Sequence, residues 1–423
     1  MILEICDLRK DIILKKNTYY FDFTASALAL KSVEKKIQKI LLTYANTHSD
    51  SSLNSFITQK YFDEARRDIK KSLSLDENFA LIACGTGSSA AIKKFQELLG
   101  IYIPPVLKER YFKDTTKEKL PLVIVGPYEH HSNELSFREG LCECVRVPLD
   151  DKGEIDFVVF EKLLQKNYQR QIIVSFSLAS NVTGILSDYK RISLLARRFN
   201  AIVAFDASSF APYKNISCEF YDALFISSHK FLGGVGGCGI LVIKKQFCGK
   251  KPSFAAGGTV AYVSRNSQNY LCNEEALEEG GTPGILQLIR AAMAFKIRDE
   301  IGLSKIEKLD NELRDYFFKK MQEISNLELY ARNLKNRLPI FSFNIKGISP
   351  FDLAFHLSKK FHIETRAGCA CAGPYGHDLL KLKDNEKLSY KPGWLRVGLH
   401  YTHQKEDIDY FFEALKKSIK ELS

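Results

Sequence analysis

Short apolar runs alternate with helical patterns through the middle of the chain. The runs are FALIAC (79–84), LVIVGP (122–127), CVRVPL (144–149), QIIVSFS (171–177), AIVAFDA (201–207), ALFISS (223–228) and GILVIKK (239–245). Each has the length and β-branched content of a strand. Between several of them, SSAAIKKFQELLG, FVVFEKLLQKN and YKRISLLARRFN carry apolar residues at helical spacing. Strand then helix, repeated, predicts an α/β fold: a mainly parallel sheet of seven strands with helices on both faces. Ligands of such sheets sit at the carboxyl ends of the strands.

The pattern changes near residue 287. One long helical stretch, QLIRAAMAFKIRDEIGLSKIEKLDNELRDYFFKKMQEI, precedes the strand-like LPIFSFNIK (338–346), the helix PFDLAFHLSKKF and a helical end, KEDIDYFFEALKKSIKEL. This predicts a large domain over 18–286 and a small α+β domain over 287–423, joined by residues 1–17. Residues 101–121, charged and containing proline, read as an insertion before a core strand.

Composition narrows the class. Apolar residues make up 45% and charged residues 26% of the 423, as in an ordinary soluble globular protein. No run approaches the roughly 18 apolar residues of a membrane helix, and MILEICDLRK does not read as a signal peptide. We therefore expect a cytoplasmic protein with no membrane association. The ten cysteines are dispersed along the chain, as reduced thiols in a large cytosolic protein are. The formal charge of +11 is spread over solvated helix faces such as KSVEKKIQK. No nucleic-acid motif accompanies it, so we expect no nucleic-acid partner.

Candidate chemistry lies at the predicted strand ends. AIVAFDASS ends a strand in Asp206, and ALFISSHKFLGG ends one in Ser-Ser-His-Lys, with Lys230 last. Singly these are a turn residue and a surface lysine. Together, on neighbouring strands, they suit pyridoxal phosphate, whose aldehyde needs a lysine and whose pyridine nitrogen needs a carboxylate. ACGTGSSAAIKKF joins a strand to a helix start at Thr86, Gly87 and Ser88, where free amides can cradle a phosphate, although such residues also serve as plain caps. His130, in GPYEHHSNE, follows another strand, where an imidazole can stack on a ring and move protons. Asn181, in SNVTG, can donate to a ring hydroxyl or simply make a turn. In ETRAGCACAGPYGH, Cys369 and Cys371 share a small-residue loop with Arg366, and a thiol exposed near a guanidinium is a nucleophile. Cys142 and Cys144 form a second C-x-C pair, so zinc is a competing reading; their spacing is not that of a zinc ribbon.

In this order, the N-terminal D-x-x-A-x-A of YFDFTASALAL, NTHS, GTGS, EHHSNE, SNVTG, FDAS, SSHK, GGT, GGTP, RAGCACAGP and LRVG span nearly the whole chain. The chain resembles class V aminotransferase-like enzymes of fold-type I, and among them the cysteine desulfurase and selenocysteine lyase group. The resemblance implies pyridoxal 5'-phosphate as cofactor and Lys230 as its Schiff-base lysine. It makes Asp206 the partner of the pyridine nitrogen, His130 the stacking histidine, and Asn181 a neighbour of the ring oxygen. Thr86, Gly87, Ser227 and His229 become phosphate ligands, with Ser88 beside them at the same helix start. Thr282 of GGTP becomes a phosphate contact delivered by a second subunit, hence a homodimer. Arg396 would grip the substrate carboxylate, Arg366 would open the cysteine loop, and Cys371 would carry a persulfide, with a sulfur-acceptor protein as partner.

Two departures stand out. Ser209 occupies the place of a glutamine, three residues after Asp206. The loop reads Arg366-Ala-Gly-Cys369-Ala-Cys371 where the family has Arg-x-Gly-His-His-Cys. The leading expectation is L-cysteine converted to L-alanine and an enzyme persulfide. The alternative is an aminotransferase or another lyase acting on a small amino acid.

Overall fold

A computed structural model describes residues 4–47, 51–112, 119–384 and 391–423. A seven-stranded sheet forms its centre. Across it run Phe79–Cys84, Gly239–Lys244, Ala223–Ser227, Ile202–Asp206, Ile172–Ser177, Leu122–Val125 and Glu143–Arg146. Gly239–Lys244 runs opposite to the other six strands of this sheet. All six residues of Ile172–Ser177 are buried, because helices cover both faces and polar alternation has no place. The helix Phe157–Lys166 shows how the layers lock. Asp156 caps it by accepting from the Val158 and Val159 amides, and Phe160 and Leu164, four apart, bury one face.

Three sequence expectations shift in detail. The run at 144–149 forms the strand Glu143–Arg146, which stops short of Pro148, a residue with no amide to donate. The long helical stretch divides into Ile285–Ile301 and Leu303–Met321 at Gly302, whose φ of 89° no helix accommodates. Within 101–121, Pro105–Tyr111 is helical. Lys108 there donates to the carbonyls of Arg138, Glu139 and Gly140 at 3.2, 3.2 and 2.9 Å. It thus satisfies the carboxyl end of the helix His131–Glu139. Residues 113–118 of that insertion lie outside the described residues.

A second core gathers around a four-stranded antiparallel sheet ordered Leu327–Leu329, Ile340–Ile345, Trp394–Gly398, Arg366–Gly368. Phe317, Phe341, Phe343, Phe411 and Phe412 fill it, with Phe21 from the far end of the chain. Hydrogen bonds explain that guest. The Phe21 amide donates to Glu364 at 2.8 Å, and its carbonyl accepts from Gly398 at 2.7 Å. A few residues later Ala27 and Leu28 bond to His229 and Gly233, beside the large sheet. The segment 21–28 therefore joins both cores and passes between them.

Phe21 has no exposed surface. Replacing it by alanine should destabilise the protein by about 3–5 kcal/mol. The check is the urea midpoint; a change below about 1 kcal/mol would mean that the second core repacks without it.

Candidate active site

The carboxyl ends of the parallel strands open onto a cleft of about 540 Å³. Ser177, Asp206 and Ser227 reach it from three strand ends, and Thr86, Gly87 and Ser88 from a helix start. Arg366, Cys371 and Arg396 face it from the small sheet and the loop that follows. His130, Asn181, Ser209, His229 and Lys230 line it as well. A roomier cleft, about 760 Å³, lies between residues such as Lys190, Lys214 and Glu307, and contains none of them. Chemistry, not size, singles out the first.

At one end the helix Gly87–Leu98 begins. Gly87 has a φ of 61°, and a Cβ there would lie 3.3 Å from His229 and 3.4 Å from the Ser227 hydroxyl. A side chain would therefore fill the hollow that these groups surround. The Ser88 amide donates to Ser227 Oγ at 2.9 Å, and Ser227 meets Ser208 at 3.2 Å. Amides at a helix start with two serine hydroxyls and an imidazole form an anion seat.

Lys230 stands in the middle. Burial pushes its amine from 10.5 down to about 8, and Asp206, the strongest opposing influence, only partly restores it. Its Nζ donates to Ser209 Oγ at 3.3 Å, so the serine at the departed glutamine position meets the lysine. Asp206 is 5% exposed and accepts from the Ser208 amide at 2.9 Å. His130 is held well below its ordinary pKa by burial, and then by Lys230. Its Nδ1 accepts from the Ser132 amide at 3.1 Å, which leaves the proton of the neutral ring on Nε2. The preceding residue, Glu129, accepts from Asn133 Nδ2 and from the Ser177 amide and hydroxyl at 2.6, 2.8 and 2.6 Å. Burial still pushes Glu129 up to about 7.

The two thiols of the loop part company. Ala370 and Cys371 both have left-handed backbone, with φ of 51° and 56°, and the Ala372 amide closes the turn onto Cys369 at 3.1 Å. Such a conformation costs about 1–2 kcal/mol per non-glycine residue, so neighbours must hold it. They do: the His131 amide donates to Cys371 at 2.7 Å, the Gly373 amide to His131 Nε2 at 2.8 Å, and Asn181 Nδ2 to the Ala370 carbonyl at 2.7 Å. Cys371 is exposed in the cleft, whereas Cys369 is half-buried against the large core. Asn181 thus spends its amide on the loop, and its Oδ1 is buried with no partner among the described residues.

Arg366 and Arg396 stand directly opposite each other on adjacent antiparallel strands, an arrangement in which like charges repel. Asp22 lies between them. Its Oδ2 accepts from Arg366 Nε at 2.9 Å and lies 2.8 Å from Arg366 NH2, and its Oδ1 accepts from Arg396 NH2 at 2.9 Å. Arg396 is 3% exposed; its NH1 donates to the Asn181 carbonyl, and its Nε has no partner among the described residues. A buried unpaired donor on a residue that lines a cleft calls for an explanation, and a ligand oxygen would supply one. Sequence reasoning quoted the motif around Asp22 but gave the residue no role, since its partners lie 344 and 374 residues away. It likewise missed His131 and Glu129 as braces.

Thr282 is not brought to the cleft. It is exposed and accepts from Asn46 at 3.0 Å. His48 and Ser49 of the NTHS motif lie outside the described residues. Cys142 is buried and donates to the Phe137 carbonyl at 3.1 Å; burial raises its thiol to about 11 and that of Cys144 to about 12. Among the described residues no three His, Cys, Asp or Glu side chains group to hold a metal ion. No described helix is long and apolar enough to cross a membrane.

The family model described as Aminotransferase class-V matches residues 19–411. A probable cysteine desulfurase of Pyrococcus abyssi is 28% identical over 431 residues, covering 98% of each chain. Another, from Borreliella burgdorferi, is 28% identical over 98% of this chain and 96% of its own. Among solved structures, the apo cysteine desulfurase from Thermococcus onnurineus superposes with a TM-score of 0.82 at 25% identity, covering 98% of each chain. The cysteine desulfurase CsdA from Escherichia coli shares the fold, with a TM-score of 0.81 at 19% identity and full coverage of both chains.

The depressed lysine sets a pH dependence. Only the neutral amine attacks an aldehyde, and it accumulates as pH rises through about 8. Capture of pyridoxal phosphate by the cofactor-free protein should accelerate between about pH 7 and 9 and level off above. Lys230→Ala should abolish it. A midpoint near the ordinary lysine value would show that burial does not tune this amine.

Proposed function

The chain belongs to the class V aminotransferase family, and from that premise we propose that it is a pyridoxal-phosphate enzyme acting as a cysteine desulfurase. What supports this reading most is one convergence: Lys230, Asp206, Arg396 and an exposed Cys371 around a single cleft. The donor set and the hollow at Gly87 fit the cofactor's phosphate. Thr86, Gly87, Ser88, Ser227 and His229 would hold that phosphate, and Asp206 the pyridine nitrogen. His130 would lie against the ring, with Asn181 and Ser209 near its oxygen. Bound there, the cofactor supplies an aldehyde that condenses with amines and a ring that accepts electrons from the α-carbon.

The protein's own groups do the rest. The unpaired Nε of Arg396 and its neighbouring NH2 would grip the α-carboxylate of L-cysteine, a charge-assisted fork that fixes the α-carbon. Lys230 Nζ, displaced by the substrate amine and neutral, would accept the α-proton. His130 is neutral, with its proton on Nε2, and so able to give one up. Cys371 Sγ would attack the substrate sulfur as a thiolate. The carbon–sulfur bond breaks, its electron pair stays on carbon and is protonated, and L-alanine leaves. The sulfur remains on Cys371 as a persulfide, exposed toward an acceptor protein. Exposed Thr282, away from its own cleft, fits delivery to the cleft of a second copy, and so a homodimer.

Cys371→Ala should lower sulfide and alanine formation from L-cysteine by about a hundredfold or more, while L-alanine still alters the visible absorption of the cofactor. Alanine released by this variant at the native rate would sink the persulfide role. Transfer of the amino group to a keto acid, without sulfide, would favour an aminotransferase instead.

A further inference from the structure

One helix start serves both the cleft and the cysteine loop. His130 and His131 are neighbours at the beginning of the helix His131–Glu139, but their rings are used in opposite ways. His130 lines the cleft and accepts at Nδ1 from the Ser132 amide. His131 accepts at Nε2 from the Gly373 amide, 2.8 Å away, so its own proton sits on Nδ1. Its backbone amide also donates to the Cys371 carbonyl at 2.7 Å. Burial holds this imidazole below the ordinary histidine pKa, against the pull of Glu134 and with the help of Arg138. The ring is therefore neutral at pH 7, as an acceptor must be.

The helix start is itself anchored. Glu129 binds Asn133 and Ser177. Asn133 Nδ2 donates to the Ser175 carbonyl at 3.2 Å, and its Oδ1 accepts from Ser175 Oγ at 2.7 Å. All four residues are buried, and Ser175 and Ser177 belong to the strand Ile172–Ser177. The strand thus holds the helix start, and the helix start holds the loop. The loop needs holding, because Ala370 and Cys371 are left-handed without being glycine. Gly373 then opens the helix Gly373–Leu380, whose first amides have no acceptor within it. His131 satisfies the first of them.

We infer that His131 is a positioning residue for Cys371: by holding the Gly373 amide, its Nε2 sets the thiol where it can attack, and it takes no part in binding the amino acid. The inference rests on the reading of Cys371 as the nucleophile. A misplacement of about 1 Å costs a reacting group about a hundredfold in rate. His131 is not among the described residues that line the cleft, so its loss should leave amino-acid binding intact.

Three quantities are measured together. Hydrogen exchange at the Gly373 amide of the cofactor-free protein reports the bond. In protein loaded with pyridoxal phosphate, alanine formed from L-cysteine reports the thiol. The dissociation constant of L-alanine, read from the cofactor's visible absorption, reports binding. His131→Leu should speed the exchange and lower kcat by about tenfold or more each, and leave the L-alanine constant within about twofold of native. His131→Gln, whose side-chain oxygen can accept in place of Nε2, should recover kcat and protection to within about threefold. A kcat or a Gly373 protection within about twofold of native in His131→Leu would overturn the inference. So would a loss of L-alanine binding as large as the loss of kcat, which would make His131 a general support of the site. Should His131→Leu lose its thermal unfolding transition, His131→Gln decides. Protection and kcat that stay together support the inference, and a loss of about tenfold in kcat under a protected amide overturns it. Failure of the nucleophile reading shows separately: Cys371→Ala would form alanine at the native rate, and the inference would fall with it.

Discussion

The site depends on a contest between burial and charge at Lys230. A lysine in water is protonated at neutral pH and inert toward aldehydes. Enclosing it favours the neutral amine, but the carboxylate of Asp206 pulls the other way. Had the strand end placed Asp206 in direct contact, Coulomb attraction would have kept the ammonium. Instead Asp206 accepts a hydrogen bond from its own turn, at the Ser208 amide, and Lys230 leans on the neutral Ser209. Desolvation therefore wins. This outcome requires a sheet covered on both faces, with the lysine at the carboxyl end of an interior strand.

Much of that was legible beforehand, for a local reason. Each large-sheet strand is a short apolar run, and most predicted site residues sit at the end of such a run or in the turn after it. Asp206, Lys230 and the Thr86–Ser88 turn could thus be found without knowing how the strands are ordered. What escaped was long-range or steric. Asp22 has no signature of its own, because the two groups that give it meaning come from the other end of the chain. Gly302 divides a helical pattern that hydrophobic spacing alone reads as continuous. Asn181 was read as a donor to a ring oxygen, yet its amide goes to the Ala370 carbonyl, a partner set by the left-handed turn at Ala370 and Cys371. No spacing rule predicts two successive non-glycine residues in that conformation, since it persists only where distant groups hold it.

The loop shows how the departures from the family pattern fit together. Where the family has two histidines, this chain has Cys369 and Ala370. The first packs as a small apolar residue on the large core, and the second offers only its carbonyl. The imidazole contributed here comes from His131, which holds the loop from the opposite side at Gly373. Cys371 therefore keeps an exposed, braced position without histidines beside it in sequence, and the guanidinium of Arg366 is the cation closest to it in sequence.

The passage of residues 21–28 between the two cores also orders events in time. Phe21 and Asp22 are made long before Gly398 and Arg396, which they bond. Contacts so distant in sequence close late, after the entropy of the intervening loop has been lost. The large core itself takes in Ile340, Tyr375, Trp394 and Tyr401, so it too is finished only when the later segments arrive. Reactivity toward a substrate is thus gained only when segments 374 residues apart have met.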